Sequence, residues 1–260
     1  KIVADGINDT AFDMSKKGKY VNAERLNTLA EDPDTIIIDM RNHYESEVGY
    51  FKDAITPDVE TFRESLPIIN KQLQNHKEDK NLVMYCTGGI RCEKASAYFK
   101  HQGFKNVFQL EGGIINYAKQ IKEEGLESKF IGKNFVFDNR LGERITDDIV
   151  SQCHQCGKPC DNHTNCENDG CHLLFIQCDE CKSAMENCCS TECLDIIHMP
   201  LVDQVRLRTG QQVGNKVFRK GKSENLKFKH SGDLSVNEKT KQKPADIRQK
   251  VKVKKVLLGK

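Results

Sequence analysis

One stretch constrains this chain more than any other. An apolar run, Leu82-Val83-Met84-Tyr85, leads into Cys86-Thr87-Gly88-Gly89-Ile90-Arg91, and a helix-patterned run from Glu93 to Gln102 follows. Strand, short loop and helix in this order put a thiol at the bottom of a loop whose backbone N–H groups converge at a helix N-terminus. Such a nest favours an anion. It also lowers the pKa of the cysteine, and the thiolate is the reactive form. Gly88 and Gly89 let the backbone close around the sulfur. Arg91 adds a fork of donors suited to a charged group. Against this stands the plain reading of a buried structural cysteine beside a turn.

The rest of the first half repeats the alternation. Residues 1–20 read as an irregular connecting segment. A helix is expected from Asn22 to Glu31, with Ala23, Leu26, Leu29 and Ala30 on one face, closed by Pro33. Ile36-Ile37-Ile38 has the all-apolar pattern of a buried parallel strand, and Asp39-Met40-Arg41 lies at its end. A short helix is expected from Tyr44 to Val48 and a brief strand at Ala54-Ile55. One helix is expected to reach Leu66 and a second to open at Pro67. Val107 to Leu110 reads as a strand, and Ile114 to Glu124 as a helix ended by Gly125. Apolar strands alternating with helices predict an α/β fold, with a mostly parallel sheet and helices on both faces. Ligand sites in such sheets lie beyond the carboxyl ends of the strands, where Asp39, Cys86 and Gly112 all fall.

The twelve cysteines are split: Cys86 and Cys92 stand in the first half, and the other ten lie between Cys153 and Cys193. Without a signal peptide in view, dense cysteine reads as metal binding or catalysis in a reducing, cytoplasmic compartment. Cys153-x2-Cys156 and Cys178-x2-Cys181 are paired knuckles and form one candidate tetrahedral thiolate site. Cys160, Cys166, Cys171, Cys188, Cys189 and Cys193 suffice for a second, with His154, His163 and His172 as spare ligands. Zinc, an iron–sulfur cluster, disulfides and free thiols all remain open at this point, with structural zinc the leading reading. Charge is segregated too. Residues 205–260 hold 17 Lys and Arg against 4 Asp and Glu, although the whole chain is only +2. Such a tail suits either phosphate contacts or simple solvation. No run approaches the ~18 apolar residues of a membrane span. The expected organisation is therefore a connecting segment (1–20), an α/β domain (21–128), a linker (129–152), a cysteine-rich module (153–200) and a basic, disordered tail (201–260).

Loop length narrows the chemistry. Cysteine phosphatases use Cys-x5-Arg, whereas Cys86 and Arg91 are separated by four residues, the tighter loop of the rhodaneses. Asp39-Met40-Arg41 and Leu110-Glu111-Gly112-Gly113 also resemble rhodanese marks. Lys1-Ile2-Val3-Ala4-Asp5-Gly6, Met84 to Ala95, Phe130 to Asp138 and Cys153-His154-Gln155-Cys156-Gly157 resemble a bacterial subfamily, the rhodanese-like tRNA uridine hydroxylases. The resemblance runs from residue 1 to roughly 220. It implies hydroxylation of C5 of uridine 34 in tRNA, with molecular oxygen as co-substrate and Cys86 as the active, persulfide-carrying cysteine. It implies tRNA as partner, with neither a membrane nor DNA. It also implies a small ferredoxin-like domain ahead of the rhodanese domain, which this sequence does not contain. The other reading is a persulfide sulfurtransferase acting on tRNA or a protein. Asp39 and Arg41 are expected to tie loops together beside the site. Cys92 is expected either to pack in the helix or to resolve an oxidised Cys86. Neither the electron donor nor the oligomeric state follows from the sequence.

Overall fold

Strands whose successive residues are all apolar need a layer of helices on each face. The computed structural model, which describes residues 6–7, 9–209, 223–224 and 226–228, has both layers. In chain order the elements are β1 (Lys19–Val21), α1 (Ala23–Ala30), β2 (Thr35–Asp39), α2 (His43–Ser46), β3 (Gly49–Phe51), α3 (Phe62–Leu73), β4 (Asn81–Tyr85), α4 (Ile90–His101), β5 (Asn106–Leu110) and α5 (Gly113–Glu124). They continue with β6 (Phe130–Asn134), β7 (Glu143–Arg144), β8 (His163–Asn165), β9 (Leu174–Ile176), α6 (Asp179–Met185), α7 (Thr191–Ile197) and α8 (Leu201–Arg208).

The main sheet has the order β1-β5-β4-β2, and every pairing in it is parallel. Alternation along β4 divides the core. Leu82 and Met84 face a cluster with Phe62, Leu66 and Ile69 of α3 and Phe99 of α4. Val83 and Tyr85 face Leu26 of α1 and Ile114 and Tyr117 of α5. The sheet therefore brings the ends of β2, β4 and β5 to one edge, where the loops after Asp39, Tyr85 and Leu110 meet.

Several expectations are revised. α3 is one helix with Pro67 inside it. Its apolar face, Phe62, Leu66, Ile69 and Leu73, runs unbroken across the proline and is buried. Four such side chains, each worth about 1.5–3 kcal/mol, outweigh the ~3 kcal/mol cost of an interior proline. α4 begins at Ile90, three residues before the expected Glu93. β1, an edge strand with exposed Lys19 and Tyr20, begins inside the expected connecting segment and ends at Val21. Residues 129–152 are more than a linker, because β6 pairs with β3 and carries β7 on its other side. Phe130 is buried in the α1/α5 face of the core. Ala54-Ile55 contributes a single bridge, Ile55 to Ile38. The tail expected from residue 201 opens with α8, and the remaining tail expectation falls almost wholly outside the described residues.

A buried ion pair closes the sheet edge. Arg41 and Asp39 are fully buried, with Arg41 Nη2 2.6 Å from Asp39 Oδ2. Arg41 also donates to the carbonyls of Gly49 at 2.6 Å and Glu45 at 3.3 Å. Breaking a buried pair leaves an uncompensated charge, which costs about 3–5 kcal/mol. Asp39→Asn should therefore lower the unfolding free energy in urea by about that amount. A loss within the error of wild type would show that the pair does not hold the edge.

Candidate active site and candidate metal centres

Cys86 directly follows β4 and sits at the floor of the loop, 1% exposed. The Gly89 N–H donates to its Sγ at 3.1 Å. Gly89 takes φ +88°, a left-handed conformation that turns this amide inward and starts α4. The Cys92 thiol also donates to the Cys86 sulfur, and this is the largest influence on its ionisation. Burial opposes it, while the Arg91 charge and the Cys92 and Arg91 amides support it. The balance holds Cys86 at about 6, well below the ordinary thiol value. Cys92 itself is fully buried and pushed well upward, first by burial and then by the neighbouring Cys86, so it stays a neutral donor. Gly88 is exposed, and a Cβ there would meet open space.

The loop is held from behind by α5. The N–H groups of Ile114 and Ile115 donate to the carbonyls of Cys86 and Thr87 at 3.0 and 3.2 Å. With those carbonyls drawn toward α5, the loop amides are left to face the sulfur. Gly113 makes this approach possible: its φ is +65°, and an added Cβ would overlap the same two carbonyls. This is the physical content of the Glu111-Gly112-Gly113 turn.

Arg91 is oriented by a residue that the sequence reading missed. Its Nη1 and Nη2 donate to the two carboxylate oxygens of Glu45, each at 2.7 Å. Glu45 is fully buried, and its Oε1 also accepts from Thr87 Oγ1 at 3.2 Å. Burial pushes the Glu45 carboxyl up, but Arg91 outweighs it and holds the group below the usual range. Both terminal nitrogens of the fork expected to meet a substrate are thus engaged inside the protein. The available signal was the capping box Asn42-x-x-Glu45, which places a carboxylate at the third position of α2. Asp39 and Arg41 lie one layer behind, buried against each other. His43 and Tyr44 are packed inside, Tyr44 edge-on to Phe135 at 5.4 Å. Glu93 accepts from the Tyr20 hydroxyl at 2.7 Å and ties β1 to α4. Ile90 is exposed on the rim.

All twelve cysteines are free of disulfides. Ten form the C-terminal module, and eight of those gather into two sets. The sulfurs of Cys153, Cys156, Cys178 and Cys181 lie within 4.8 Å of one another, as do those of Cys166, Cys171, Cys189 and Cys193. A tetrahedron with metal–sulfur bonds of ~2.3 Å has sulfur–sulfur edges of ~3.8 Å. The Cys156–Cys178 separation is 3.6 Å, and Cys171–Cys189 and Cys189–Cys193 are 3.7 Å. Backbone N–H groups of Cys178 and Cys189 donate to Cys153 and Cys166, an outer shell typical of thiolate ligands. Cys160 and Cys188 fall outside both sets, and so do the spare histidines. His154 bonds Glu47 at 2.8 Å, and His163 packs on Phe135 with its pKa lowered by burial to about 4.

The rhodanese-like domain family matches residues 22–120, and the family described as rhodanase C-terminal matches residues 131–194. Curated proteins named tRNA uridine(34) hydroxylase are similar across 222 residues, 85% of this chain. Examples come from Pectobacterium carotovorum subsp. carotovorum (58% identical), Photorhabdus laumondii subsp. laumondii (57%) and Yersinia pestis (59%). The chain spans 62–63% of the length of these relatives.

Two measurements check the site. Alkylation of Cys86 should follow a titration centred at about 6, and Cys92→Ala should move the midpoint up by removing the strongest donor. A midpoint unchanged in Cys92→Ala would show that the amides alone set the ionisation. Gly113→Ala should disrupt the loop, costing about 1–2 kcal/mol for the left-handed residue alone, and should also raise the Cys86 titration. Wild-type titration in that variant would separate α5 from the nest.

Proposed function

We propose that this chain, whose residues 22–120 match the rhodanese-like domain, is the catalytic portion of a tRNA hydroxylase that converts uridine 34 to 5-hydroxyuridine with molecular oxygen. The observation that carries this reading is the 57–59% identity over 222 residues to relatives whose name states that activity. The site supplies a chemistry that fits. Cys86 is a thiolate at neutral pH, and a thiolate adds to C6 of a uracil ring. The electron pair then moves to C5 and O4, making C5 reactive toward oxygen. The negative charge passes from sulfur to the base without any net charge entering the buried site, and loop amides are on hand to receive an anion. Arg91, fixed by Glu45, supports that charge while remaining in place. The proposed setting is cytoplasmic. The proposed partner is tRNA, met in part by the lysines and arginines of residues 205–260. Among the described residues no helix is long and apolar enough to cross a membrane.

Each of the two four-cysteine sets would hold one zinc ion. The supporting observation is that four sulfurs in each set lie within 4.8 Å of one another, with N–H donors behind them. Zinc in these sets would crosslink the C-terminal module and take no part in the reaction at Cys86.

Mass spectrometry of wobble nucleosides tests the function. Cells in which the full-length protein is replaced by its Cys86→Ser variant should lose 5-hydroxyuridine and its derivatives. Unchanged hydroxylation would overturn the reading, and loss of a thiolated nucleoside instead would favour sulfur transfer. Metal analysis of anaerobically purified protein should find two zinc ions per chain. Stripping them should unfold the module, since structural zinc contributes on the order of 10 kcal/mol per site. Substoichiometric metal in folded protein would remove this role.

A further inference from the structure

Hydroxylating a C–H bond with dioxygen places one oxygen atom in the product and leaves the other to become water. That second atom requires two electrons and two protons from a source besides the base. The following inference rests on the hydroxylase reading above and concerns that source.

Cys86 and Cys92 lie together in one buried cluster with Met84 and Ala95, and the Cys92 thiol hydrogen-bonds the Cys86 sulfur. No other cysteine occurs before Cys153, so this pair is separate in sequence from the module thiolates. To stabilise a thiolate, the third position of α4 needs only a short donor, and a serine hydroxyl would serve. The residue present is the one donor of that size that can also give up electrons. We propose that Cys86 and Cys92 are the reaction's two-electron donor, a dithiol converted to a disulfide once per hydroxylation and restored by a soluble thiol reductant.

The balance closes. One C5–H bond, one dioxygen and two S–H bonds become one C5–OH, one water and one S–S bond. Sulfur is oxidised by two electrons, and dioxygen receives them together with the two from the C–H bond. Because Cys86 rests as a thiolate, its proton is drawn from solvent. Loss of the C5 proton restores the C5–C6 double bond and expels Cys86 from C6 as a thiolate; Cys92 supplies the other proton as its sulfur bonds to Cys86. Restoration takes two external thiols: the first, as thiolate, breaks the S–S bond to form a mixed disulfide, and the second attacks that bond, releasing the external disulfide and the reduced cysteine pair. The external thiol would enter from the side of the exposed loop residue Gly88. Cys92 is then both a positioning donor and a redox partner, and the two roles separate by substitution.

The test uses the reduced full-length protein, a tRNA transcript carrying uridine 34, and oxygen admitted for a single turnover. Quenching in acid and alkylating agent allows the peptide holding Cys86 and Cys92 to be weighed beside the nucleosides. One disulfide should form per 5-hydroxyuridine. Cys92→Ser, which keeps a hydroxyl donor, should retain the low Cys86 titration yet lose hydroxylation turnover by at least about 100-fold. Hydroxyuridine formed while both thiols stay reduced would overturn the dithiol role alone, as would Cys92→Ser turning over within about twofold of wild type. Wild-type protein that makes no hydroxyuridine would overturn the hydroxylase reading, and the dithiol role with it. If Cys92→Ser fails to fold, equilibration of wild type in glutathione buffers decides: absence of a Cys86–Cys92 disulfide at every ratio sinks the proposal.

Discussion

Two arginines taken out of water shape the working edge of this sheet. Arg41 is wholly buried and Arg91 largely so, and an uncompensated guanidinium in either place would be strongly destabilising. Asp39 compensates the first and Glu45 the second. The pairs are linked, because Arg41 also donates to the backbone carbonyl of Glu45. The end of β2, the short helix α2 and the start of α4 are thereby tied in sequence. Burial works against charge on both arginines, yet both are pushed upward, first through their carboxylate partners. The edge is rigid because each charge has one well-defined place to be.

This pairing changes what Arg91 can do for the thiolate. Its positive charge is already matched by Glu45, so Cys86 faces an ion pair rather than a lone cation. The field of such a pair falls off faster than that of a single charge. Contact hydrogen bonds to an anion are worth about 1.5–3 kcal/mol each, and here they lead. The Cys92 thiol ranks ahead of the Arg91 charge, with loop amides adding to both. A nest built on short-range donors holds an anion without demanding a charged substrate.

Much of the fold was legible because burial on both sides leaves a plain mark. Ile36 to Ile38 and Leu82 to Tyr85 are apolar throughout, Val107 to Leu110 is apolar but for Gln109, and all three lie in strands of the parallel sheet. β1 escaped because an edge strand needs only one buried residue, Val21. β6 escaped because its buried positions include Gly132 and Asn134, which carry no apolar signal, and its partner β3 is some eighty residues earlier. Cys86 was visible from local order alone. Glu45 was not, because its importance lies in a contact with Arg91 across 46 positions. The two knuckles gave the first thiolate set by spacing. The second could be drawn from six cysteines in several ways, and only the fold selects Cys166, Cys171, Cys189 and Cys193.

The cysteine module also bears on the distant thiolate through α2. Tyr44 and Val48 pack with Phe135, Leu174, Ile176, Cys153 and Cys160 in one buried cluster. His154, next to the first knuckle cysteine, bonds Glu47 just beyond α2. α2 is only four residues long, too short to be stable by its own hydrogen bonds. Its place is therefore set by what surrounds it, and one of its sides rests on the module that holds the first thiolate set. Glu45 projects from that same turn to fix Arg91 and Thr87. Loosening the module would free α2, and a freed α2 would release Arg91 beside the Cys86 sulfur. The packing of residues 153–193 and the loop around Cys86 are thus joined by one helical turn.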